Sequence, residues 1–262
     1  MKKLKIWLLS LTLITAAVFS IWFFAVPDNL IKDYIEDSAS QHKFKADIEG
    51  LRKGFFFTLY AESLDLKKDP DSEILKITDI SCRINPLYLF KKQLAFSVKG
   101  KIGTGDINGS FNLPDNGNIK ITNAEIAAIT YITSIGLKGN GIISGSVTFK
   151  NNTADVTFTV PDADIEGSIL QMPLPLSLFR KIQGAFSIKG NTVEVVSITL
   201  EGEKLYARLS GNTAIGGKIT GMTLEVMPAA EYVSTNEFKS LESAILKKYE
   251  ASPGYYVIRI EN

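Results

Sequence analysis

The stretch from Leu94 to Leu113 reads LAFSVKGKIGTGDINGSFNL, and its pattern decides the fold. Leu94, Phe96 and Val98 alternate with small or polar residues, and the positions from Ile107 to Leu113 show the same rhythm. A period of two places successive side chains on opposite faces of a β-strand, so that one face is buried and the other meets water. The stretch therefore predicts β-strands that share an apolar face.

The same alternation continues along most of the chain, from about Phe44 to Val226. Near its start, Phe55, Phe57 and Leu59 alternate with their neighbours in a pattern that predicts a single strand. Turn signals separate the runs, and no helical pattern of about 10–15 residues lies between them. The sequence therefore predicts a mainly β protein with a long, mostly antiparallel meander of roughly a dozen strands.

Such a sheet must curl or be covered, because a long apolar face is not stable in water. We therefore expect a curved sheet whose apolar side is closed by short flanking helices. Turns are predicted at Asn116-Gly117, Asn151-Asn152, Gly190-Asn191 and Gly216-Gly217. The candidate apolar sheet face comprises Phe96, Val98, Phe111, Val147, Phe149, Val156, Phe158, Phe186 and Ile188.

Short helices are predicted before and after the strands. Asp28 is a suitable N-cap for a helix that runs to about Gln41 and carries one apolar stripe. Near the other end, Ser234 and Glu237 have the spacing of a capping box, in which each side chain accepts a hydrogen bond from a free backbone amide. An amphipathic helix follows this box, and residues 255–260 are predicted to form a last strand.

The N-terminal segment combines a basic start at residues 1–5 with an uncharged run from Ile6 to Val26. A helix over that run is roughly 31 Å long, close to the ~30 Å hydrocarbon core of a bilayer. The alternative is a cleaved signal peptide, whose apolar region is typically about 7–15 residues long and is followed by small residues. The run here is longer and ends in bulky aromatic residues, so the sequence favours an uncleaved membrane anchor with its ends at Ile6 and Val26.

The lysines before this run are predicted to keep the N-terminus in the cytoplasm. The expected organisation is a cytoplasmic tail at residues 1–5, a transmembrane signal anchor at 6–26, a juxtamembrane helix at 27–43 and a periplasmic β-rich domain at 44–262. The expected location is the bacterial inner membrane, crossed once. In fold class, we expect an N-terminal transmembrane helix followed by a curved, mostly antiparallel β-sheet.

The chain offers few side chains for chemistry, with one histidine, one cysteine and a net charge of +1. No nucleophile, metalloprotease or phosphate-loop motif occurs, so we expect no enzymatic activity, no cofactor and no metal site. The low net charge argues against nucleic acid as a partner. Asp162, Asp164 and Glu166 have a spacing that would suit calcium, but a solvated turn is the favoured interpretation. Cys82 lies in an alternating run and is interpreted as a small buried hydrophobe.

Several stretches together resemble the type II secretion system protein N family, also called general secretion pathway protein N. They are residues 1–26, 64–111, 182–211 and 254–260. The resemblance implies an inner-membrane accessory component of the machine that exports folded proteins across the outer membrane. The glycine-punctuated strands are also similar to the wider AsmA-like group of anchored envelope proteins, which implies a curved sheet and a role in lipid transport or outer-membrane biogenesis. Neither resemblance implies active-site residues.

Two functions therefore stay open. The first is a scaffold or interaction module of the type II secretion system, whose partners would be the inner membrane and other secretion components. The second is a lipid-binding or lipid-transport protein, whose partner would be phospholipid, because an apolar groove shields acyl chains at ~0.8 kcal/mol per CH₂ group. The sequence does not separate these functions, since an apolar face serves either a lipid or the protein's own core.

Overall fold

The structure is a computed structural model that describes most of the chain. Ile6, Val26 and most of the predicted membrane anchor lie outside the described residues. Among the residues that are described, no helix has both the length and the apolar character needed to cross a membrane. The described residues are 13, 20–25, 27–41, 44–69, 72–91, 93–113, 116–130, 132, 137–167, 176–214 and 219–260.

Strands dominate the described part of the chain. Fifteen strands form one large sheet, and two short strands, β8 and β11, form a separate ribbon. All of the strand pairs in this part of the chain are antiparallel, which confirms the predicted mainly β fold with one antiparallel sheet. The strands are β1 (Lys45–Glu49), β2 (Arg52–Gly54), β3 (Thr58–Asp69), β4 (Ser72–Asn85), β5 (Leu94–Ile102), β6 (Gly105–Leu113), β7 (Asn116–Glu125), β8 (Lys138–Asn140), β9 (Ile142–Lys150), β10 (Thr153–Val160), β11 (Asp164–Glu166), β12 (Lys181–Lys189), β13 (Thr192–Glu201), β14 (Leu205–Ala214), β15 (Ile219–Pro228), β16 (Glu250–Ser252) and β17 (Tyr255–Ile260).

The order of strands in the large sheet follows the order along the chain. Strands β3 to β7 lie side by side and are continued by β9, β10, β12 to β15 and β17. At one end of the sheet β1 and β2 both pair with β3, and at the other end β16 pairs with β17. The two strands skipped in this order, β8 and β11, pair with each other. The result is a long meander, because short connections between sequential strands favour antiparallel neighbours.

Short helical segments lie before, between and after the strands. Helix α1 (Asp28–Gln41) lies where the sequence predicts a helix, and its Glu36 carboxylate accepts a hydrogen bond from the Ile48 backbone N–H at 3.2 Å. A 3₁₀ segment, Pro86–Lys91, connects β4 to β5. The others are a π-helical turn (Ile21–Ala25), 3₁₀ turns (Ile126–Ala128, Leu176–Leu178 and Lys247–Tyr249), α2 (Ala230–Val233), α3 (Asn236–Leu241) and a second π-helical turn (Glu242–Leu246).

The N-cap of α3 differs from the predicted capping box. The cap is Thr235, whose Oγ1 accepts a hydrogen bond from the Phe238 backbone N–H at 3.2 Å. Ser234 instead donates a hydrogen bond to the Glu231 carbonyl. The Glu237 carboxylate is drawn away by Lys204, at 2.8 Å, and this charge-assisted contact replaces the hydrogen bond that a capping box needs.

The predicted strand through Phe55 and Phe57 is wrong at its beginning. Strand β3 begins at Thr58, and the three preceding phenylalanines form the turn between β2 and β3. Phe56 and Phe57 have φ angles of 56° and 58°, which is the left-handed region that bulky residues rarely adopt. Contacts of the Phe57 and Phe55 rings with Trp22 and Phe23 hold the turn in this unfavourable backbone conformation.

The predicted turns have mixed outcomes. Asn151-Asn152 is confirmed as the turn between β9 and β10, with both residues at positive φ, and Gly190-Asn191 is confirmed between β12 and β13. Asn116-Gly117 does not form the predicted turn but begins β7, where Gly117 faces Phe111. Gly216-Gly217 lies outside the described residues.

The main hydrophobic core lies on the apolar face of the last strands. Leu224 and Val226 of β15 are fully buried, as is Ala207 of β14. The C-terminal helical segment covers them, because Phe238 and Leu246 belong to the same buried cluster. A smaller cluster around Ile102, Ile107 and Ala124 lies in the earlier strands. The chain therefore covers one half of its own sheet with its own C-terminal segment.

Candidate functional site

A row of aromatic rings crosses the earlier half of the sheet. Phe96 faces Phe111 across β5 and β6, and their rings stack with centroids 4.8 Å apart and planes inclined by 18°. Phe149 follows at 6.3 Å from the Phe111 ring centroid. Gly117 lies between Phe111 and Phe149 in the register, and its lack of a side chain leaves room for both rings.

Strand register places the other residues of the candidate face beside this row. Ile188 continues the aromatic row, because both Phe149 and Ile188 face Ala154. Val147 and Phe186 likewise both face Val156. Val98 belongs to the same row as Val147, because the residues that face each other in order from Val98 are Gly109, Ile119 and Val147. Phe158 lies in a third row, where it faces Gly184. The nine residues thus occupy three adjacent rows.

Exposure varies along this apolar surface, and within the earlier half Ile102 is fully buried while other residues are not. In the later half, Leu224 and Val226 have no exposed surface. In the earlier half, Leu94, Leu113 and Phe149 keep 40%, 41% and 37% of their surfaces exposed. Single exposed hydrophobic residues are common, but these three lie close together at one end of the sheet. One end of the apolar surface is therefore open.

A groove of about 850 Å³ lies at this end of the sheet, and of the three exposed residues Phe149 lines it while Leu94 and Leu113 do not. Phe96, Phe111 and Phe149 line it, and Phe56 and Tyr88 contribute to its wall. Its lining also includes polar residues that alternate with these rings along the strands, so that their side chains lie on the opposite face of the sheet: Ser97, Ser110, Asn118, Thr148 and Lys150. Ligand sites in proteins are typically concave and mostly apolar, with a few polar groups that fix orientation, and they have volumes of about 300–1,000 Å³. We name this feature the end groove.

The last residues of the uncharged N-terminal run pack beside the end groove. The ring of Trp22 lies 5.4 Å from that of Phe57, and the ring of Phe23 lies 5.6 Å from that of Phe55. Trp22 Nε1 also donates a hydrogen bond to the Gly54 carbonyl at 3.2 Å. These contacts hold the strained turn at residues 55–57, and they place the groove next to the segment that the sequence assigns to the membrane.

Lys53 of β2 also links the N-terminal segment to the sheet, through hydrogen bonds and an ion pair. Its Nζ donates hydrogen bonds to the carbonyls of Trp22 and Phe23 at 3.1 and 3.0 Å. The same ammonium lies 3.4 Å from the Asp28 carboxylate, and only 8% of the lysine side chain is exposed. A partly buried ion pair with added hydrogen bonds restricts motion more than an exposed pair does. The start of α1 and the β2–β3 turn are therefore joined.

Side chains that could ligate a metal ion do not cluster among the described residues. No three His, Cys, Asp or Glu side chains among them lie close enough together to hold a metal ion. In the acidic triplet predicted to form a solvated turn, Asp162 and Asp164 are exposed, and the Asp164 carboxylate lies 3.7 Å from the Arg180 guanidinium. Cys82 is partly buried, and that burial raises the pKa of its thiol to about 11.

Two components of the site were not identified from the sequence pattern. One is the turn at residues 55–57, which lines the groove, and the other is Arg83, which lines the same groove from β4. Three successive phenylalanines preceded by glycine and two basic residues are an unusual start for an alternating strand, and this signal points to a turn. Comparison of the chain with models of protein families, with curated proteins and with solved structures finds no match.

Proposed function

We propose that the protein binds an acyl chain of a membrane phospholipid in the end groove, as an anchored protein of the bacterial envelope. One observation carries this proposal: an apolar surface that the chain covers at one end is left exposed at the other, where Phe149 and its neighbours line a groove. Covering that surface with an acyl chain contributes ~0.8 kcal/mol for each CH₂ group removed from water.

The position of the groove supports a membrane lipid over other apolar ligands. Trp22 and Phe23, at the end of the uncharged run, contact the turn that lines the groove. If the run crosses the inner membrane, as the sequence predicts, the groove lies near the periplasmic surface of that membrane. The binding site would then face a source of phospholipid directly.

The test is the phospholipid content of the full-length protein after purification in a mild non-ionic detergent. We expect phospholipid to remain at a fixed molar ratio to protein, measured by mass spectrometry of extracted lipids. Phe149→Asp should lower that ratio strongly, because it places a carboxylate in the groove. Phe44→Asp is the matched control, since Phe44 has a similar exposed fraction, 43%, but does not line the groove.

Thermal unfolding of both variants distinguishes loss of binding from loss of the fold. Wild-type protein free of phospholipid, or an equal loss of lipid in both variants, would contradict the proposal. The accessory role in type II secretion is a further proposal that rests on the resemblance alone. Loss of export of type II substrates when the gene is deleted would support it.

A further inference from the structure

A second pocket of about 590 Å³ adjoins the end groove. It lies over β3, β4 and β5 and is lined by Arg83 and Lys99, with the hydroxyl groups of Thr58, Ser81 and Ser97 around them. The strained turn at residues 55–57 contributes Phe55 and Phe56 to its wall. No carboxylate occurs among the described residues that line it.

Strand register explains how the basic and hydroxyl groups come together. Arg83 of β4 faces Thr58 of β3 on one side and Ser97 of β5 on the other. Lys99 lies two residues beyond Ser97 and faces Ser81. Neighbours directly across a sheet have Cβ atoms about 5 Å apart, and diagonal neighbours remain within reach of long side chains. A guanidinium, an ammonium and three hydroxyls therefore converge on one small area.

The two basic groups are available to an anion. Neither Arg83 nor Lys99 forms an ion pair with a described residue, and both are exposed. Lys101, two residues beyond Lys99 on β5, is instead matched with Asp79 at 3.9 Å. A further positive charge lies nearby, since the Arg52 guanidinium is 5.6 Å from the centroid of the Tyr60 ring, which also lines the pocket.

The pocket and the end groove adjoin at the strained turn, although Arg83 and Ser97 alternate with Ile84 and Phe96 and therefore lie on the sheet face opposite to the aromatic row. Phe56, Arg83 and Ser97 line both of them. A polar, positively charged pocket beside an aromatic groove is complementary to an amphiphile with an anionic head and an apolar chain. Arginine and lysine together with hydroxyl donors are the groups that proteins use to bind phosphate, because charge-assisted hydrogen bonds to phosphate oxygens are strong.

We infer that this pocket binds the phosphate of an anionic phospholipid headgroup while the acyl chain lies in the end groove. The inference rests on the proposed function, because it names the polar end of the same ligand. Arg83 supplies a planar pair of donors to two phosphate oxygens, and Lys99 adds a point charge. The selectivity expected from these groups is for a headgroup with a net negative charge over a zwitterionic one.

The experiment is calorimetric titration of the full-length protein in non-ionic detergent with four probes. The lipid probes are dihexanoyl phosphatidylglycerol and dihexanoyl phosphatidylcholine, and the chain-free probes are glycerol 3-phosphate and inorganic phosphate. We expect phosphatidylglycerol to bind roughly tenfold more tightly than phosphatidylcholine, the difference expected from one or two charge-assisted hydrogen bonds. We also expect this preference to weaken as salt is added.

Substitutions test whether the preference for phosphatidylglycerol over phosphatidylcholine arises in the pocket. The double substitution Arg83→Gln with Lys99→Gln should remove the preference for phosphatidylglycerol over phosphatidylcholine. Lys101→Gln is the matched control and should keep the preference, because Lys101 is on the same strand but does not line the pocket. Equal loss of preference in the control would overturn the inference.

The four probes separate failure of the pocket from failure of the groove. If both lipids bind with equal affinity, the headgroup site is overturned and the proposed acyl-chain site stands. If neither lipid binds, the proposed function is overturned and the inference falls with it. If inorganic phosphate binds as tightly as phosphatidylglycerol, and the double substitution abolishes that binding, the ligand is free phosphate and the lipid assignment is overturned.

Discussion

Phe111 and Gly117 face each other across β6 and β7, and the aromatic ring occupies the space that a side chain on Gly117 would need. A Cβ atom at Gly117 would lie 2.7 Å from Phe111 Cδ1 and 3.3 Å from Phe149 Cδ2. Both distances are shorter than ordinary van der Waals contacts. The aromatic row that lines the end groove therefore depends on this glycine.

Replacing Gly117 with alanine is expected to displace the Phe111 ring and disturb the groove. We expect Gly117→Ala to lower the free energy of unfolding by about 1 kcal/mol, since overpacked side chains must shift, and to lower the amount of retained phospholipid. Chemical denaturation and lipid analysis measure the two effects. Gly221→Ala is the control, because a Cβ atom there meets nothing within 4 Å, and its change should stay within about 0.5 kcal/mol. Equal effects of the two substitutions would contradict this role of Gly117.

Two substitutions at Phe56, in the strained turn, are expected to differ in protein stability but to weaken lipid retention alike. Phe56→Gly relieves a left-handed conformation and should raise the free energy of unfolding by about 1 kcal/mol relative to Phe56→Ala, which keeps the strain. Both substitutions remove a ring that lines the groove and the adjoining pocket, so both should weaken lipid retention. A glycine variant no more stable than the alanine variant would show that this turn is not strained.

The N-cap of α3 is Thr235 in the structure, whereas the sequence predicted Ser234, and the two residues can be tested separately. Thr235→Ala should cost about 1 kcal/mol of stability, because Thr235 Oγ1 accepts the hydrogen bond from the Phe238 N–H. Ser234→Ala should cost only a few tenths, about 0.3 kcal/mol, because the Ser234 hydroxyl only donates to the Glu231 carbonyl within α2. Thermal unfolding of the two variants decides between the two caps, and a larger loss for Ser234→Ala would restore the capping box.

Cys82 gives a prediction about alkaline pH. Burial raises the pKa of its thiol to about 11, from an ordinary value near 9, because the folded protein disfavours the thiolate. The folded state therefore holds the proton more tightly than the unfolded chain between these values. The resulting stability is fully present below pH 9 and is lost as the pH rises through about 11.

This contribution is measured as the difference in stability between wild type and Cys82→Ala from pH 8 to pH 11. We expect the advantage of the wild type to shrink as the pH rises, since only the wild type has the thiol to ionise. The thiol should also react slowly with iodoacetamide in the folded protein and rapidly in urea. A difference that does not change with pH, together with rapid labelling of folded protein, would contradict the burial of this thiol.

Alternation along the sequence was enough to identify which side chains share a face. Phe96 and Phe186 are 90 positions apart, yet they lie on one apolar surface, because a period of two is a property of each strand by itself. The absence of helical patterns between the strand runs also predicted the antiparallel arrangement, because parallel strands need longer connections. These features depend on local geometry, which the order of residues specifies directly.

Contacts between distant segments were not predictable in the same way. The closeness of Arg83 to Lys99 depends on the β4–β5 register, in which Arg83 faces Ser97 and Ser81 faces Lys99. The turn at residues 55–57 depends on packing against Trp22 and Phe23. Such details follow from pairing and tertiary packing, which override local propensity.

The most direct measurement of the central claim is site-specific photocrosslinking at the groove in living cells. The photoreactive residue p-benzoylphenylalanine would replace Phe149 in the full-length protein, and mass spectrometry would identify its adducts. The control position is Val196, which is 55% exposed on β13 and does not line the groove. We expect phospholipid adducts at position 149 and none at position 196. Absence of lipid adducts at position 149, or equal amounts at both positions, would contradict it.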